Sequence, residues 1–226
     1  MDYAVITANI GDYDVLEQPH QLSSTVDYLY FTDGDEAPRG WERCDMPPLP
    51  NFHPRRAAKL PKIWPHFFPH LQEYDAVVWI DAGMTIQDAQ MPSAVLSHMN
   101  NGLVVSPHFD SRDCAYGESE IRPGQYATEP LDEQVEFYRG LGFPEHHGLY
   151  ETGVLAWSMD TYLGEIGQRW FLQNVLFSYQ DQVSLPFVLW EAGFKPDVLP
   201  RSFPYMGNWV TVNAHTGPRA VEEATL

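Results

Sequence analysis

The sequence has few of the features that mark exported, membrane-spanning or disulfide-rich proteins. It contains two cysteines, Cys44 and Cys114, too far apart for metal-ligand spacing, so we expect two ordinary thiols in a reducing compartment. No apolar run approaches the length of about 18 residues that a membrane span needs. The acidic N-terminus lacks the basic region of a signal peptide. These absences predict a cytoplasmic protein without a membrane span.

Positive charge is scarce as well. Lys and Arg number 13 against 31 Asp and Glu, a formal net charge of -18, which repels nucleic acid and anionic lipid. Nucleic acid is therefore a disfavoured partner. Hydrophobic residues make up 44% of the 226 positions without a repeat period or low-complexity tract, and this composition predicts one globular domain over residues 1–226.

Strand-like and helix-like segments alternate along the chain. The β-branched and aromatic runs cover residues 3–8, 27–32, 76–81, 103–108 and 153–159. Helical patterns cover residues 54–72 and start again near positions 92, 130, 161 and 181. This alternation predicts an α/β fold with a mostly parallel central sheet flanked by helices. Pro61, Pro65 and Pro69 predict that the first helix is kinked or broken.

The segment "RRAAKLPK" concentrates basic residues in an otherwise acidic chain. On a helix, Arg55, Lys59 and Lys62 share one face, which suits a compact anion such as a diphosphate. The alternative is a solvated basic face paired with surface acids.

Asp81 interrupts the apolar segment "DAVVWIDAGMTI" where its strand should end. Ligands of parallel α/β sheets bind at the carboxyl ends of the strands, and a carboxylate there can hold a divalent cation. His215, near the C-terminus, could add an imidazole ligand. Alternatively, Asp81 caps the next element or pairs with a basic residue, and His215 is an ordinary surface or core histidine.

Two more predicted strand ends carry small and polar residues, in "TANIGDYD" and "FTDGD". Thr7, Ala8 and Asn9 could lie against a nucleoside base, and Asp33 could accept hydrogen bonds from a ribose or base. Because Gly and Asp are common turn formers, each segment is also explained as a plain turn.

Ionisable residues are dense in "SPHFDSRDCAYGESE", which includes His108, Arg112, Tyr116 and Glu118. Such a density is expensive to keep in a merely structural loop, and it predicts part of a substrate site.

Two later segments add polar candidates. Glu151 and Thr152 precede a predicted strand, and Asp181 and Gln182 stand at a predicted helix start. For Asp181, a helix-capping role is an equal alternative to a catalytic one.

Several of these segments, in order, resemble the small glycosyltransferase-like family named for the plant TOD and MUCI proteins, which is itself similar to family-eight retaining glycosyltransferases. The matching segments run from about residue 3 to residue 194: "ITANIGDYD", "YFTD", the basic segment before "KIWPH", "YDAVVWIDAGMTI", "HFDSRDCAYGE", "GLYETGVLAW" and "QDQVSLPFVLWEAG". The resemblance implies a GT-A fold, in which a Rossmann-type nucleotide-binding half is fused to a smaller acceptor-binding part around one sheet. It also implies a nucleotide-sugar donor.

The resemblance implies roles for individual residues. The segment from Thr7 to Asp12, with Asp33, would meet the nucleoside. Asp81 would take the first position of a metal-binding Asp-x-Asp motif, with His215 joining it on Mn²⁺ or Mg²⁺. The third position of that motif is Gly83 here, so one carboxylate ligand is missing.

We therefore expect sugar transfer from a nucleoside diphosphate sugar, with a UDP-sugar as the expected donor, to a hydroxyl acceptor such as a glycan. Asp181, Gln182 and Glu151 are the catalytic candidates. The basic residues Arg55, Lys59 and Lys62 would neutralise the leaving diphosphate. The expected acceptor-binding residues are His108, Arg112, Tyr116, Glu118 and Thr152. The alternatives are an inactive nucleotide-sugar-binding module and a metal-dependent nucleotidyltransferase or phosphohydrolase.

Overall fold

The fold is described from a computed structural model, which covers residues 1–121, 124–201, 203 and 209–213. The strands are β1 Tyr3–Asn9, β2 Asp27–Thr32, β3 Glu42–Asp45, β4 Ala76–Ile80, β5 Met84–Ile86, β6 Leu103–Pro107, β7 Tyr150–Ser158, β8 Asp197–Val198 and β9 Val210–Val212. The α-helices are α1 Pro54–Ile63, α2 Met91–Leu96, α3 Ala115–Ser119, α4 Leu131–Gly140, α5 Thr161–Leu176 and α6 Asp181–Glu191. Short 3₁₀ turns cover Pro65–Phe67, Pro69–Glu73 and Gly124–Tyr126.

Seven strands form the central sheet, in the order β3-β2-β1-β4-β7-β6-β8. Strands β3, β2, β1 and β4 are mutually parallel, and β6 and β8 also pair in parallel. Strand β7 runs antiparallel to both of its neighbours, β4 and β6. The predicted α/β fold with a mostly parallel sheet is confirmed. The antiparallel course of β7 was not predicted, because an apolar run shows that a strand is buried but not which way it points.

The central strands are apolar along their whole length because both faces of the sheet are covered. In β4, all five residues are buried. Ile6 and Trp79 pack into a core with residues of α1, α5 and α6, whereas Val5 and Val78 face a second core that includes Val95 of α2. The sheet is therefore the middle layer of three.

The helical segment that follows β3 is broken, as predicted, and the break comes just before Pro65. Pro54 occupies its first turn, and His53 caps it by accepting a hydrogen bond from the backbone NH of Arg55. Pro61 lies inside the helix, which ends at Ile63, and Pro65 and Pro69 each open a 3₁₀ turn. The predicted helix over 54–72 is thus one α-helix followed by two short turns.

A small second sheet forms beside the end of β4. Strand β5 pairs antiparallel with β9, and the backbone NH of Asn213 donates to the carbonyl of Gly83, 2.7 Å away. The chain that follows Asp81 is therefore held by the C-terminal part of the described structure.

The sequence predicted two ordinary thiols and no membrane span. Cys44 and Cys114 are free thiols, and burial raises the pKa of Cys44 to about 11. Across the described ranges, every helix is too short or too polar to cross a bilayer.

Candidate active site

A cleft of about 390 Å³ opens at the carboxyl ends of β1 and β4. These strands are parallel neighbours, so Asn9 at the end of β1 and Asp81 after β4 emerge at the same edge of the sheet. The cleft brings together most of the residues singled out from the sequence. Those that line it are Ala8, Asn9, Arg55, Lys59, Lys62, Asp81, Glu118, Glu151, Thr152, Asp181 and Gln182.

Asp81 is fixed at the base of this cleft. Its backbone NH donates to the carbonyl of Gly153, 2.8 Å away, which ties the end of β4 to β7. Its Oδ1 atom accepts hydrogen bonds from Nζ of Lys62 at 3.0 Å and from Nε1 of Trp79 at 2.7 Å. The side chain is still 40% exposed. Pairing with a basic residue, the alternative left open by the sequence, is therefore what the structure shows, and the carboxylate also faces the cleft.

Lys62 links this aspartate to a second one. Its Nζ lies 2.7 Å from Oδ2 of Asp181, and the same Oδ2 lies 2.8 Å from Nζ of Lys59. We call Lys59, Asp181, Lys62 and Asp81 the lysine–aspartate chain. Its formal charges cancel, because two ammonium groups face two carboxylates.

Asp181 owes its position to the start of α6. The N-cap of this helix is Gln180, so Asp181 is the first helical residue and its carboxylate does not cap the helix by hydrogen bonding. The positive end of the helix dipole still favours a negative charge there. The carboxylate instead holds the two lysines of α1. The helix-capping alternative is wrong, and Asp181 is an ion-pair partner rather than a carboxylate free to meet a sugar.

Burial and pairing set the ionisation of this chain. Burial would raise the pKa of Asp181, but Lys59 and Lys62 outweigh it and hold that pKa well below the ordinary value. Burial would lower the pKa of Lys62, and Asp181 and Asp81 reverse this and hold it above its ordinary value. For Lys59, burial prevails over the attraction of Asp181 and lowers its pKa. Lys62 is therefore held as a cation between two carboxylates, whereas burial weakens the proton affinity of Lys59.

The basic residues of α1 divide between two environments. Arg55, Lys59 and Lys62 line the cleft, so the alternative of a solvated basic face is wrong. The guanidinium of Arg55 lies 3.6 Å from the ring centroid of Tyr13, which also lines the cleft. Arg56 turns away and pairs with Glu129 at 3.0 Å. Of the two lysines, Lys59 is 19% exposed, whereas Lys62 is almost fully buried between Asp81 and Asp181.

Only some of the residues predicted to contact a nucleoside line the cleft. Ala8 and Asn9 line the cleft. Asn9 also shapes the following loop, because its Oδ1 accepts from the backbone NH of Asp14, 3.1 Å away. Thr7 is fully buried within β1, behind the cleft wall.

Asp12 and Asp33 lie outside this wall. Asp12 has a φ of 53° next to Gly11 at 69°, so this segment is a tight turn. The carboxylate of Asp33 accepts a hydrogen bond from the NH of Gly11 at 3.0 Å and borders a neighbouring hollow that also includes Arg43. The turn explanation therefore accounts for both aspartates.

A second polar cluster, which we call the histidine–carboxylate cluster, consists of His108, Asp110, Arg112, Glu118 and Glu151. Of these, Glu118 and Glu151 line the cleft. His108 Nδ1 lies 2.6 Å from Oδ1 of Asp110, and its Nε2 lies 3.2 Å from Oε1 of Glu151. Arg112 pairs with Asp110 at 2.7 Å and also with Glu118. Three carboxylates thus share one arginine and one histidine.

The two glutamates of this cluster have altered proton affinities. Burial raises the pKa of Glu118 and of Glu151 above the ordinary glutamate value. Gln180 donates to Glu118 at 2.9 Å, and Gln182 donates to Glu151 at 2.7 Å, so the first turn of α6 and the residue before it hold both carboxylates in place. Gln182 therefore positions Glu151.

The predicted acceptor-binding residues fall into three groups. Glu118 and Thr152 line the cleft. His108 and Arg112 stand behind it, and His108 is only 2% exposed. Tyr116 points into the core, where its hydroxyl donates to the carbonyl of Phe143 at 2.7 Å. The structure does not place Tyr116 where it could touch an acceptor.

Aromatic residues of the cleft were missed at the sequence level. Trp79, Tyr126 and Tyr179 line it together with Tyr13. For Trp79 a signal existed, because residues two apart on a strand point to the same side, and Trp79 stands two positions before Asp81. Tyr126 belongs to a 3₁₀ turn and Tyr179 to a loop, and the approach of both to the cleft depends on the tertiary fold.

The described residues do not form a metal site by themselves. Within residues 1–121, 124–201, 203 and 209–213, no group of three or more His, Cys, Asp or Glu side chains is arranged to hold a metal ion. One oxygen of Asp81 is already engaged by Lys62 and Trp79. His215, the second predicted ligand, lies outside the described residues.

The sequence was compared with models of known protein families and with curated proteins, and it matches none of them. The resemblance to the TOD and MUCI family therefore stays a prediction that rests on the motifs quoted above.

Proposed function

We propose that the protein is a glycosyltransferase of the GT-A type, which moves a sugar from a nucleoside diphosphate sugar to a hydroxyl acceptor. The observation that carries this proposal is one cleft lined both by basic residues of α1, the cationic wall, and by carboxylates of α3 and β7, the carboxylate wall. The parallel strands β3, β2, β1 and β4 would form the nucleotide-binding half. Strands β7, β6 and β8 would belong to the acceptor-binding part.

The cationic wall suits a diphosphate leaving group. As the bond between the sugar and the diphosphate breaks, negative charge builds up on the phosphate oxygens, and nearby fixed cations stabilise that charge. Arg55, Lys59 and Lys62 line the cleft, and of the two lysines Lys59 is the more exposed. Asp181 holds Lys59 in position and is itself held by Lys62, so the role of Asp181 and Lys62 is to organise the wall rather than to touch the sugar.

The carboxylate wall suits an acceptor hydroxyl. Glu151 lines the cleft, and burial raises its pKa towards the range in which a carboxylate accepts a proton efficiently near neutral pH. We assign it the role of the general base. Its neighbours Glu118 and Thr152 would bind the acceptor, for which a glycan is the expected class.

The expected Mn²⁺ or Mg²⁺ stays a prediction. When bound, a divalent cation would add positive charge at the diphosphate, and Asp81 is the described carboxylate that could hold it. Because the described residues do not complete a coordination shell, the roles in charge stabilisation and proton transfer are assigned to side chains of the protein alone.

One observation favours an inactive nucleotide-sugar-binding module as the second candidate. The aspartates of the lysine–aspartate chain are paired with lysines, and the motif position that would supply a second metal-binding carboxylate is Gly83. Such a module would keep the cleft and bind the donor without turnover.

A donor panel separates the two candidates. Hydrolysis and transfer are measured for UDP-, GDP- and dTDP-sugars, with nucleotide binding followed by calorimetry. The transferase proposal predicts turnover with at least one donor, retained in Glu191→Gln and lost in Glu151→Gln for the transfer step. Glu191 is exposed at the far end of α6 and so provides a matched control. Binding without turnover across the panel would identify the module, and neither binding nor turnover would reject both.

A further inference from the structure

We propose that α5 is a self-association surface, on which two copies of the chain pair through antiparallel α5 helices. Five solvent-facing residues of the helix form this surface, and we call Tyr162, Glu165, Arg169, Leu172 and Leu176 the outer face of α5. None of these five residues lines the cleft. The proposal therefore stands independently of the proposed function.

The opposite face of α5 is anchored in the core. Leu163, Ile166 and Trp170 are buried there together with residues of α1 and α6. At Gly167 the helix approaches α1 so closely that an added Cβ would lie 2.8 Å from the carbonyl oxygen of Ile63. Because α5 is held this closely from behind, its outer face is presented as a fixed surface.

The outer face of α5 is rich in large apolar side chains. Tyr162, Leu172 and Leu176 are each more than half exposed. The solvent side of a surface helix normally carries charged and polar side chains. A single exposed apolar residue needs no explanation, but several on one helix face mark an interaction surface.

The spacing of these residues is typical of a contact between two helices. Members of the outer face follow one another at intervals of three, four, three and four positions. Side chains at this spacing are neighbours along one side of a helix. In coiled coils, the same alternation marks the residues that meet the partner helix. The pattern therefore indicates that the occupant of this face is another helix.

The charges of α5 indicate that this helix belongs to a second copy. Over its 16 residues, α5 carries one acid, Glu165, and one base, Arg169, whereas the whole chain has a formal net charge of -18. Within the part of the chain that the structure describes, neither of these two side chains forms an ion pair. A neutral face on an acidic protein is where a second acidic copy is repelled least.

An antiparallel pairing centred on Gly167 matches these charges. Two helices that run in opposite directions about this position bring Glu165 of each copy opposite Arg169 of the other. The same arrangement brings Tyr162 of each copy opposite Leu172 of the other. The pairing thus joins two ion pairs near its centre to an apolar contact at each end.

Other pairings of the same face leave the charges unmatched. A parallel pairing would place each charge opposite the same charge of the second copy, which is unfavourable. An antiparallel pairing shifted by seven residues would place Glu165 opposite Leu176, and Arg169 opposite Leu172. Charge complementarity therefore selects the antiparallel pairing about Gly167.

The size of the surface sets the strength of the association. A helix of 16 residues is about 24 Å long. One helix face of this length is smaller than the roughly 800 Å² per partner of a standard interface. We therefore expect a weak dimer that forms as the protein concentration rises.

Analytical ultracentrifugation of the full chain measures this equilibrium. Samples from about 5 to about 500 µM are compared at about 0.15 M salt, which screens repulsion between the acidic copies beyond about 8 Å. We expect the mass of the wild type to rise from one chain towards two, and that of Leu172→Glu to stay at one chain. Leu22→Glu, the same substitution at an exposed leucine outside α5, should associate as the wild type does.

Charge reversal tests the ion pairs. Arg169→Glu places glutamates opposite each other and should weaken association by about tenfold or more. Arg39→Glu changes the net charge equally at an exposed position outside α5 and should have little effect. The double variant Glu165→Arg/Arg169→Glu exchanges the two charges and should restore association, which a loss of folding could not do.

Cysteine cross-linking tests the direction of the helices. In a background of Cys44→Ser and Cys114→Ser, one variant carries Glu165→Cys and another carries Arg169→Cys. A disulfide needs Cα atoms within about 7 Å. The antiparallel pairing predicts cross-linking in a mixture of the two variants, whereas a parallel pairing predicts it within each variant alone.

Three results would overturn the proposal. The first is a wild type that keeps the mass of one chain up to about 500 µM. The second is a dimer that Leu172→Glu leaves unchanged, since another surface would then form it. The third is cross-linking within each cysteine variant alone, or a charge-exchanged double variant that stays monomeric while the wild type associates.

Discussion

Nζ of Lys62 lies 2.7 Å from Oδ2 of Asp181, and both side chains are almost entirely removed from solvent. Lys62 belongs to α1, the first helix of the chain, and Asp181 belongs to α6, the last described helix. The contact therefore joins two parts of the cleft lining that are far apart in the sequence. Buried ion pairs are weak evidence for added stability, but breaking one leaves a charge buried without a partner. The pair is therefore expected to specify the geometry of the wall.

Removal of Lys62 should destabilise the fold. In Lys62→Met, Asp181 keeps its pair with Lys59, and Asp81 keeps the hydrogen bond from Trp79, among the residues that the structure describes. Loss of one partner of a buried pair typically costs about 3–5 kcal/mol, which is the expected fall in the free energy of unfolding by urea denaturation. Lys195→Met, at an exposed position, is the matched control and should change stability little. A loss in Lys62→Met no larger than in this control would show that the pair is dispensable.

Lys59 should matter for nucleotide binding more than for stability. Its side chain reaches the cleft, and a diphosphate would favour its charged form. A hydrogen bond to a charged group contributes about 1.5–3 kcal/mol, so Lys59→Met should weaken UDP binding by about 10- to 100-fold. Calorimetry of UDP binding in Lys59→Met and Lys195→Met measures this. Equal UDP affinities in the two variants would show that Lys59 does not contribute to donor binding.

Stability should fall in acid through Asp181. Its folded-state pKa is lower than in the unfolded chain, so its ionised form stabilises the fold above the unfolded pKa of about 4, and that stabilisation is lost as the pH falls further. Urea denaturation at several pH values should show a gap between wild type and Asp181→Asn that is large at neutral pH and shrinks below about pH 4. Asp35→Asn, an exposed substitution, should show no such trend. A pH-independent gap would mean that Asp181 contributes through packing rather than through charge.

Addition of Mn²⁺ tests the expected cation separately. If Asp81 and His215 hold it at the diphosphate, UDP binding should strengthen about tenfold or more with Mn²⁺, and the gain should vanish in Asp81→Asn and shrink in His215→Ala. Calorimetry with and without EDTA gives both values. If the affinity for UDP does not change with Mn²⁺, the positive charge at the diphosphate would come from Lys59 and Arg55.

Much of the fold could be predicted from local patterns. Both-face burial makes β1 and β4 continuous apolar runs, and helical spacing locates Arg55, Lys59 and Lys62 on one face of α1. Very short strands such as β8 left no pattern long enough to detect. The reversed direction of β7 depends on which edge of the sheet its neighbours occupy, which no local pattern encodes.

Most residues of the site could be predicted from the sequence, but the ion pairs between them could not. Parallel strand ends converge at one edge, so Asn9 and Asp81 could be expected together. The partners of Asp181 and Glu151 come from distant elements, and their ion pairs decide which carboxylates are locked and which remain available. Sequence alone could not show that Asp181 is locked by lysines while Glu151 faces the cleft.

The most direct test of the donor site is a crystal structure of the protein soaked with UDP and Mn²⁺. The account predicts density for the diphosphate in the cleft at the carboxyl ends of β1 and β4, within hydrogen-bonding distance of Nζ of Lys59 and beside Asp81. Density for the nucleotide in the hollow bordered by Asp33 and Arg43, or an unchanged cleft at saturating UDP, would contradict it.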